Sequence, residues 1–139
     1  MSYEFNGRNL DGDICRTGYY GMELVLDCHH CDITRFTRKD LREYFKGLVK
    51  LLGMKAGTLH FWDDVGVSEN EKQTDPMTTG TSAIQFILTS NITVHCLDLL
   101  GNVYVNVFSC KDFDSGRARY YTQNFFDAKT VREHKLIRS

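Results

Sequence analysis

Apolar positions along the chain change rhythm several times, and each change predicts an element. The first ~18 residues, rich in Gly, Asp and Asn, read as a loose arm, followed by a buried strand over 20–28 where apolar residues dominate. From Thr37 the spacing turns helical, with Leu41, Tyr44, Phe45, Leu48, Leu51 and Leu52 on one face. Thr37 with Asp40 forms a capping signal at its start, and Gly53 sits where a helix stops. Residues 58–62 predict a short strand, and the polar, acidic stretch 63–80, with the single proline Pro76, predicts a long loop. Three β-rich runs follow at 83–88, 92–97 and 103–108, close enough together for an antiparallel meander. A second helix over 114–126 and a last strand over 130–137 complete the order βαβββαβ. That order predicts an α/β fold, specifically an α+β two-layer sandwich with two helices on one face of a mainly antiparallel sheet.

The meander carries a geometric expectation. A loop of residues 98–102 centred on Leu100 sets Ser90 opposite Cys110 and His95 opposite Val105. A serine and a thiol then face each other. His95 lies five residues from Ser90, on the other face of a regular strand, so uniting all three requires a bulge or break, expected near Asn91.

Size and composition narrow the class. A chain of 139 residues with 42% hydrophobic content fits one domain, 1–139, burying about two-thirds of its unfolded surface. With 17 basic against 18 acidic residues there is no stripe for nucleic acid and no patch for an anionic membrane, and no apolar run approaches a spanning length. Five cysteines without disulfide rhythm, and no signal-peptide pattern, point to a reducing cytoplasm. Cys28 and Cys31 around His29 and His30 read as a structural turn, since no second CxxC or spaced histidine pair completes a metal set. The acidic stretch from Asp63 to Asp75 lacks the alternating ligands of a calcium loop and reads as solvated. His60 and His134 read as structural.

Residues 81–114, TSAIQFILTSNITVHCLDLLGNVYVNVFSCKDFD, and residues 22–32, MELVLDCHHCD, change this picture. Taken singly, His95 reads as a core histidine and Cys110 as a small buried hydrophobe. The spacing of Ser82, Ser90, His95 within ITVH and Cys110 within FSC, however, resembles bacterial S-adenosylmethionine decarboxylase, a self-processing, pyruvoyl-dependent family. The resemblance implies cleavage between Thr89 and Ser90 into chains 1–89 and 90–139, with Ser90 converted into the pyruvoyl cofactor and no metal. It also implies roles. His95 removes the Ser90 α-proton during processing, Ser82 stabilises the tetrahedral adduct, and Cys110 returns a proton to the substrate α-carbon.

The sequence departs from the family at three places. Thr89 and Asn91 stand where glutamate and histidine are usual, and Leu97, Asp98 and Leu99 replace the tryptophan-proline-glutamate segment that holds adenosine. Phe61, Trp62 and Asp98 are the candidate replacements for substrate binding. Two substrate classes stay open on equal terms: S-adenosylmethionine, or the smaller L-ornithine or L-arginine with Asp98 or Asp63 on the distal cation. The resemblance implies a homo-oligomer, a dimer of processed pairs, acting in polyamine synthesis. The other reading is a non-cleaving homologue that serves as a regulatory or binding subunit.

Overall fold

The computed structural model describes residues 2–5, 7–10 and 20–139. Strands β1 (Ser2–Phe5) and β2 (Gly7–Leu10) pair antiparallel as a separate two-stranded ladder, where an irregular arm was expected; the rest of that arm lies outside the described residues. All later elements belong to one core. They run β3 (Gly21–His29), α1 (Arg38–Leu51), β4 (Ala56–Trp62), β5 (Gly80–Ile87), β6 (Ser90–Leu97), β7 (Asn102–Ser109), α2 (Ser115–Phe126) and β8 (Thr130–Arg138).

The main sheet has the order β4-β5-β6-β7-β3-β8 and every neighbouring pair is antiparallel. Alternation along the strands decides which face is covered. Leu24, Leu26 and Cys28 of β3, Ile92, Val94 and Cys96 of β6, and Val103, Val105 and Val107 of β7 point to one side and are buried. At ~1.5–3 kcal/mol for each fully buried large aliphatic side chain, this face holds the fold.

Both helices share that core. Helix α1 buries Leu41, Tyr44, Phe45, Leu48 and Val49 in it; Leu51 and Leu52, expected on the same stripe, are only half-buried because they fall at the helix end. The Thr37 hydroxyl accepts the Asp40 N–H at 3.1 Å and starts the helix, while Gly53, at φ +68, ends it in the left-handed conformation glycine adopts freely. Helix α2 is capped by Asp114, whose carboxylate accepts the Arg117 N–H at 3.0 Å. Between the helices the buried Tyr44 and Thr122 hydroxyls share a hydrogen bond of 2.8 Å, which satisfies two polar groups that burial would otherwise penalise.

The register of β6 and β7 differs from the expected one. His95 pairs with Tyr104, not Val105, and the ladder runs from Asn91↔Phe108 to Leu97↔Asn102. The connection is a four-residue turn, 98–101, in which Gly101 at φ +70 donates its N–H to the Leu97 carbonyl at 2.9 Å. Asn102 is therefore a strand residue. The irregularity expected near Asn91 is also absent: β5 and β6 pair without interruption from Gly80↔Leu97 to Ile87↔Ser90. The sheet's register shift occurs instead in β4, between Ala56 and Leu59.

Candidate active site

The β5–β6 hairpin turns on two residues, Leu88 and Thr89, because Ile87 pairs with Ser90. Thr89 occupies the left-handed region at φ +61, a conformation that costs a β-branched residue roughly 1–2 kcal/mol. Its hydroxyl donates to the Leu88 carbonyl at 2.6 Å and lies 3.1 Å from Cys110 Sγ. Ser90 is buried, and its Oγ accepts the Cys110 backbone N–H at 3.3 Å. The Leu88 N–H in turn donates to the Lys55 carbonyl at 3.2 Å, which ties the turn to the segment after α1. A cavity of about 300 Å³ opens here, with Thr89, Ser90, Cys110, Lys55 and Lys111 in its wall. The register moves Cys110 one place beyond Ser90's strict partner, so serine and thiol do not face each other as expected: Cys110 Sγ meets the Thr89 hydroxyl, and Ser90 Oγ meets the Cys110 backbone N–H.

A second pair forms on the sheet's open face. Ser82 and His95 are cross-strand partners, and Ser82 Oγ lies 2.8 Å from His95 Nδ1. Tyr104 stands opposite His95 on β7, and Trp62 opposite Ser82 on β4. Trp62 is 82% exposed. A hollow of about 280 Å³ lies between His60, Trp62, Ile84, Thr93 and the Ser82–His95 pair.

The structure thus groups the four sequence-predicted reactive residues as two pairs. Ser90 points to the helix-covered face and His95 to the open one, about 17 Å apart along a regular strand of ~3.3 Å per residue. His95 does not reach Ser90 within one chain.

The candidate substrate contacts also separate. Phe61 points toward the helices, where Arg38 and Arg42 lie over its ring at 5.6 and 5.0 Å, so it is not the free ring the sequence offered. Trp62 is. Asp98 follows β6 and shares a polar cavity of about 430 Å³ with Asp63, Asp64, Glu69 and Lys72. Partial burial raises the Asp98 carboxyl above the usual carboxylate range. Asp63 instead binds Arg38 through both oxygens, at 2.6 and 2.7 Å, and this pairing lowers its carboxyl below that range. It is thereby occupied as an anchor.

Cys28 is buried on the core face and Cys31 half-buried beside it, and among the described residues no three His, Cys, Asp or Glu side chains form a metal-ligating group. Sequence reasoning missed Lys55, Lys111 and Tyr104. Lys111 follows Cys110 directly and Tyr104 needed only the correct register. Lys55 has no local signal, because only the fold carries it to the turn.

A family model described as S-adenosylmethionine decarboxylase matches residues 22–139. Among solved structures, the crystal structure of the adenosylmethionine decarboxylase from Aquifex aeolicus VF5 superposes with a TM-score of 0.69. The match covers 87% of this chain and 92% of that one at 20% identity, a likeness of fold. No curated protein matches. Among the described residues no helix is long and apolar enough to cross a membrane.

Proposed function

This chain belongs to the S-adenosylmethionine decarboxylase family, and from that premise we propose that it is a self-processing decarboxylase of polyamine synthesis whose cofactor is made from Ser90. The observation that carries the reading is the contact set around one peptide bond. Ser90 Oγ is held by the Cys110 N–H beside a Thr89 carbonyl whose residue sits in a strained conformation.

Processing begins when Ser90 Oγ attacks the Thr89 carbonyl carbon, so that the amide bond breaks and an ester forms. Removal of the Ser90 α-proton then expels the Thr89 carboxylate. Water replaces the nitrogen left on residue 90, which departs as ammonia. The residues present fit this outcome: a hydroxyl held at its own scissile bond, a thiol beside it, and a cavity around both. A pyruvoyl ketone at residue 90 supplies an electron sink for a bound amino acid.

The chain's own side chains supply the rest. Cys110 Sγ, in the wall of the cavity that contains the cleaved bond, holds the proton to be returned to the substrate. Because Ser82 and His95 sit on the open face, a second copy of the chain must bring its pair to the residue-90 terminus, which makes the working unit a homodimer. The exposed Trp62 beside that pair favours a substrate with a flat aromatic base, S-adenosylmethionine, over L-ornithine or L-arginine. The acidic cavity around Asp98 is the feature the two smaller amino acids would use.

Denaturing mass spectrometry tests the processing step. The purified protein is expected as fragments 1–89 and 90–139, and Ser90→Ala as one uncut chain; a wild-type chain that stays whole on ageing makes the protein a non-cleaving regulatory homologue. Carboxyl-labelled S-adenosylmethionine, L-ornithine and L-arginine separate the substrates, with carbon dioxide release expected from the sulfonium compound alone.

A further inference from the structure

Cleavage at the Thr89–Ser90 bond changes the charge of its surroundings. A neutral amide is replaced by the Thr89 carboxylate and a neutral ketone, and the nitrogen leaves as ammonia. One negative charge is left inside the cavity of about 300 Å³ that contains the bond.

Lys55 and Lys111 line that cavity, and no acidic side chain does. Neither lysine takes part in an ion pair among the described residues. Each lysine's backbone is tied to one side of the turn. The Lys55 carbonyl accepts the Leu88 N–H, and Lys111 follows the Cys110 amide that donates to Ser90 Oγ while donating its own N–H to Ser109 Oγ at 3.1 Å. Two cations with no ion-pair partner among the described residues thus flank the point where an anion is to appear.

We propose that Lys55 and Lys111 form a receptor for the Thr89 carboxylate released by self-cleavage, holding the end of chain 1–89 against chain 90–139. The inference rests on the processing reading above. The other carboxylate that could enter is the substrate's own, which must leave as neutral carbon dioxide; cations that stabilise it would deepen the ground state and oppose the reaction. The new chain end is permanent and gains from being held.

The test compares Lys55→Met with Lys111→Met, combined, in the cleaved protein and in the uncut Ser90→Ala background, without substrate and at matched protein concentration. The double variant is expected to cut normally by mass spectrometry. In the cleaved protein it should raise the unfolding equilibrium constant in urea by about tenfold, an effect that 0.5 M salt largely removes, as for exposed pairs. In the Ser90→Ala background, which has no carboxylate to hold, the change should stay below about twofold. Equal losses in both backgrounds, no loss in either, or a double variant that fails to cut overturns the proposal. A wild-type chain that is never cut overturns it together with the processing reading, so the two failures are told apart. As a check independent of folding, carbon NMR of cleaved wild type labelled at the threonine carboxyl should titrate residue 89 below the ordinary α-carboxyl range of about 3.3–3.7, and an ordinary value counts against the receptor.

Discussion

Three thiols gather at one end of the core face, and their surroundings set what each can do. Burial pushes the Cys28 thiol up to about 12 and the Cys31 thiol up to about 11, and it raises Cys96 as well. All three therefore keep their protons where an unfolded chain, with thiols near 9.0, begins to lose them. Above that value the unfolded state binds fewer protons than the folded one, so stability falls as pH rises, and the fall continues until the folded thiols ionise. Replacing Cys28 with Ala should flatten the decline in melting temperature between pH 9 and 11 while costing about 1 kcal/mol at pH 7 through lost packing. Thermal melts across that window check it; parallel slopes for wild type and variant would remove Cys28 from the explanation. Cys110, by contrast, stands half-exposed in the cleft beside Thr89, and iodoacetamide at pH 8 is expected to label it before Cys28 or Cys96.

Among the elements, the long segment between β4 and β5 is tied to α1 at its start by an ion pair. Asp63 clasps Arg38, the first residue of α1, and the Asp63 carboxylate also accepts the Val65 N–H at 3.0 Å. Because the pairing with Arg38 lowers the Asp63 carboxyl in the folded state, this anchorage is present above the unfolded carboxylate value of about 3.9 and is lost as pH falls through the folded one. Asp63→Asn should raise the rate of proteolytic nicking within 64–79 severalfold at pH 7, and the difference from wild type should vanish under an acid protease near pH 2. An unchanged nicking pattern at pH 7 would assign the loop's order to its other contacts. Most of these elements were legible in the sequence because local physics defines them: helical spacing from Leu41 to Leu48, the Thr37 cap, and the three closely spaced β-rich runs that became β5, β6 and β7. The β6–β7 register was not. A turn of four residues and one of five differ by the left-handed conformation of Gly101, which composition alone does not specify, and that one residue moved His95 from Val105 to Tyr104. The site was legible in part for the same reason. Its candidate residues came from the family resemblance, but placing Ser90 and His95 together in one chain required a break in β6 that an unstrained strand has no cause to make.

At the scale of the whole molecule, the two faces of the sheet divide the chemistry. The covered face ends at the Thr89–Ser90 bond with Cys110; the open face carries Ser82, His95, Trp62 and Tyr104, together with the exposed Ile84, Phe86 and Leu136. On this face Trp62, Ile84 and Phe86, on the neighbouring strands β4 and β5, are exposed apolar side chains. In the proposed homodimer, a twofold pairing of copies lets the Ser82–His95 pair of each serve the residue-90 terminus of the other. Subunit complementation then follows. Ser90→Ala and His95→Ala are each expected to be inactive alone, since one lacks the cofactor precursor and the other the base. Co-expressed, they form mixed dimers in which one of the two sites combines an intact Ser90 with an intact His95. Random pairing makes about half the dimers mixed, so about a quarter of wild-type activity should return, accompanied by cleavage of the His95→Ala chain only. Differently tagged chains make both readouts separable on one gel. If the mixture stays inactive although the tags co-purify, each chain must complete its own site, and His95 would have to reach Ser90 through a rearrangement of β6.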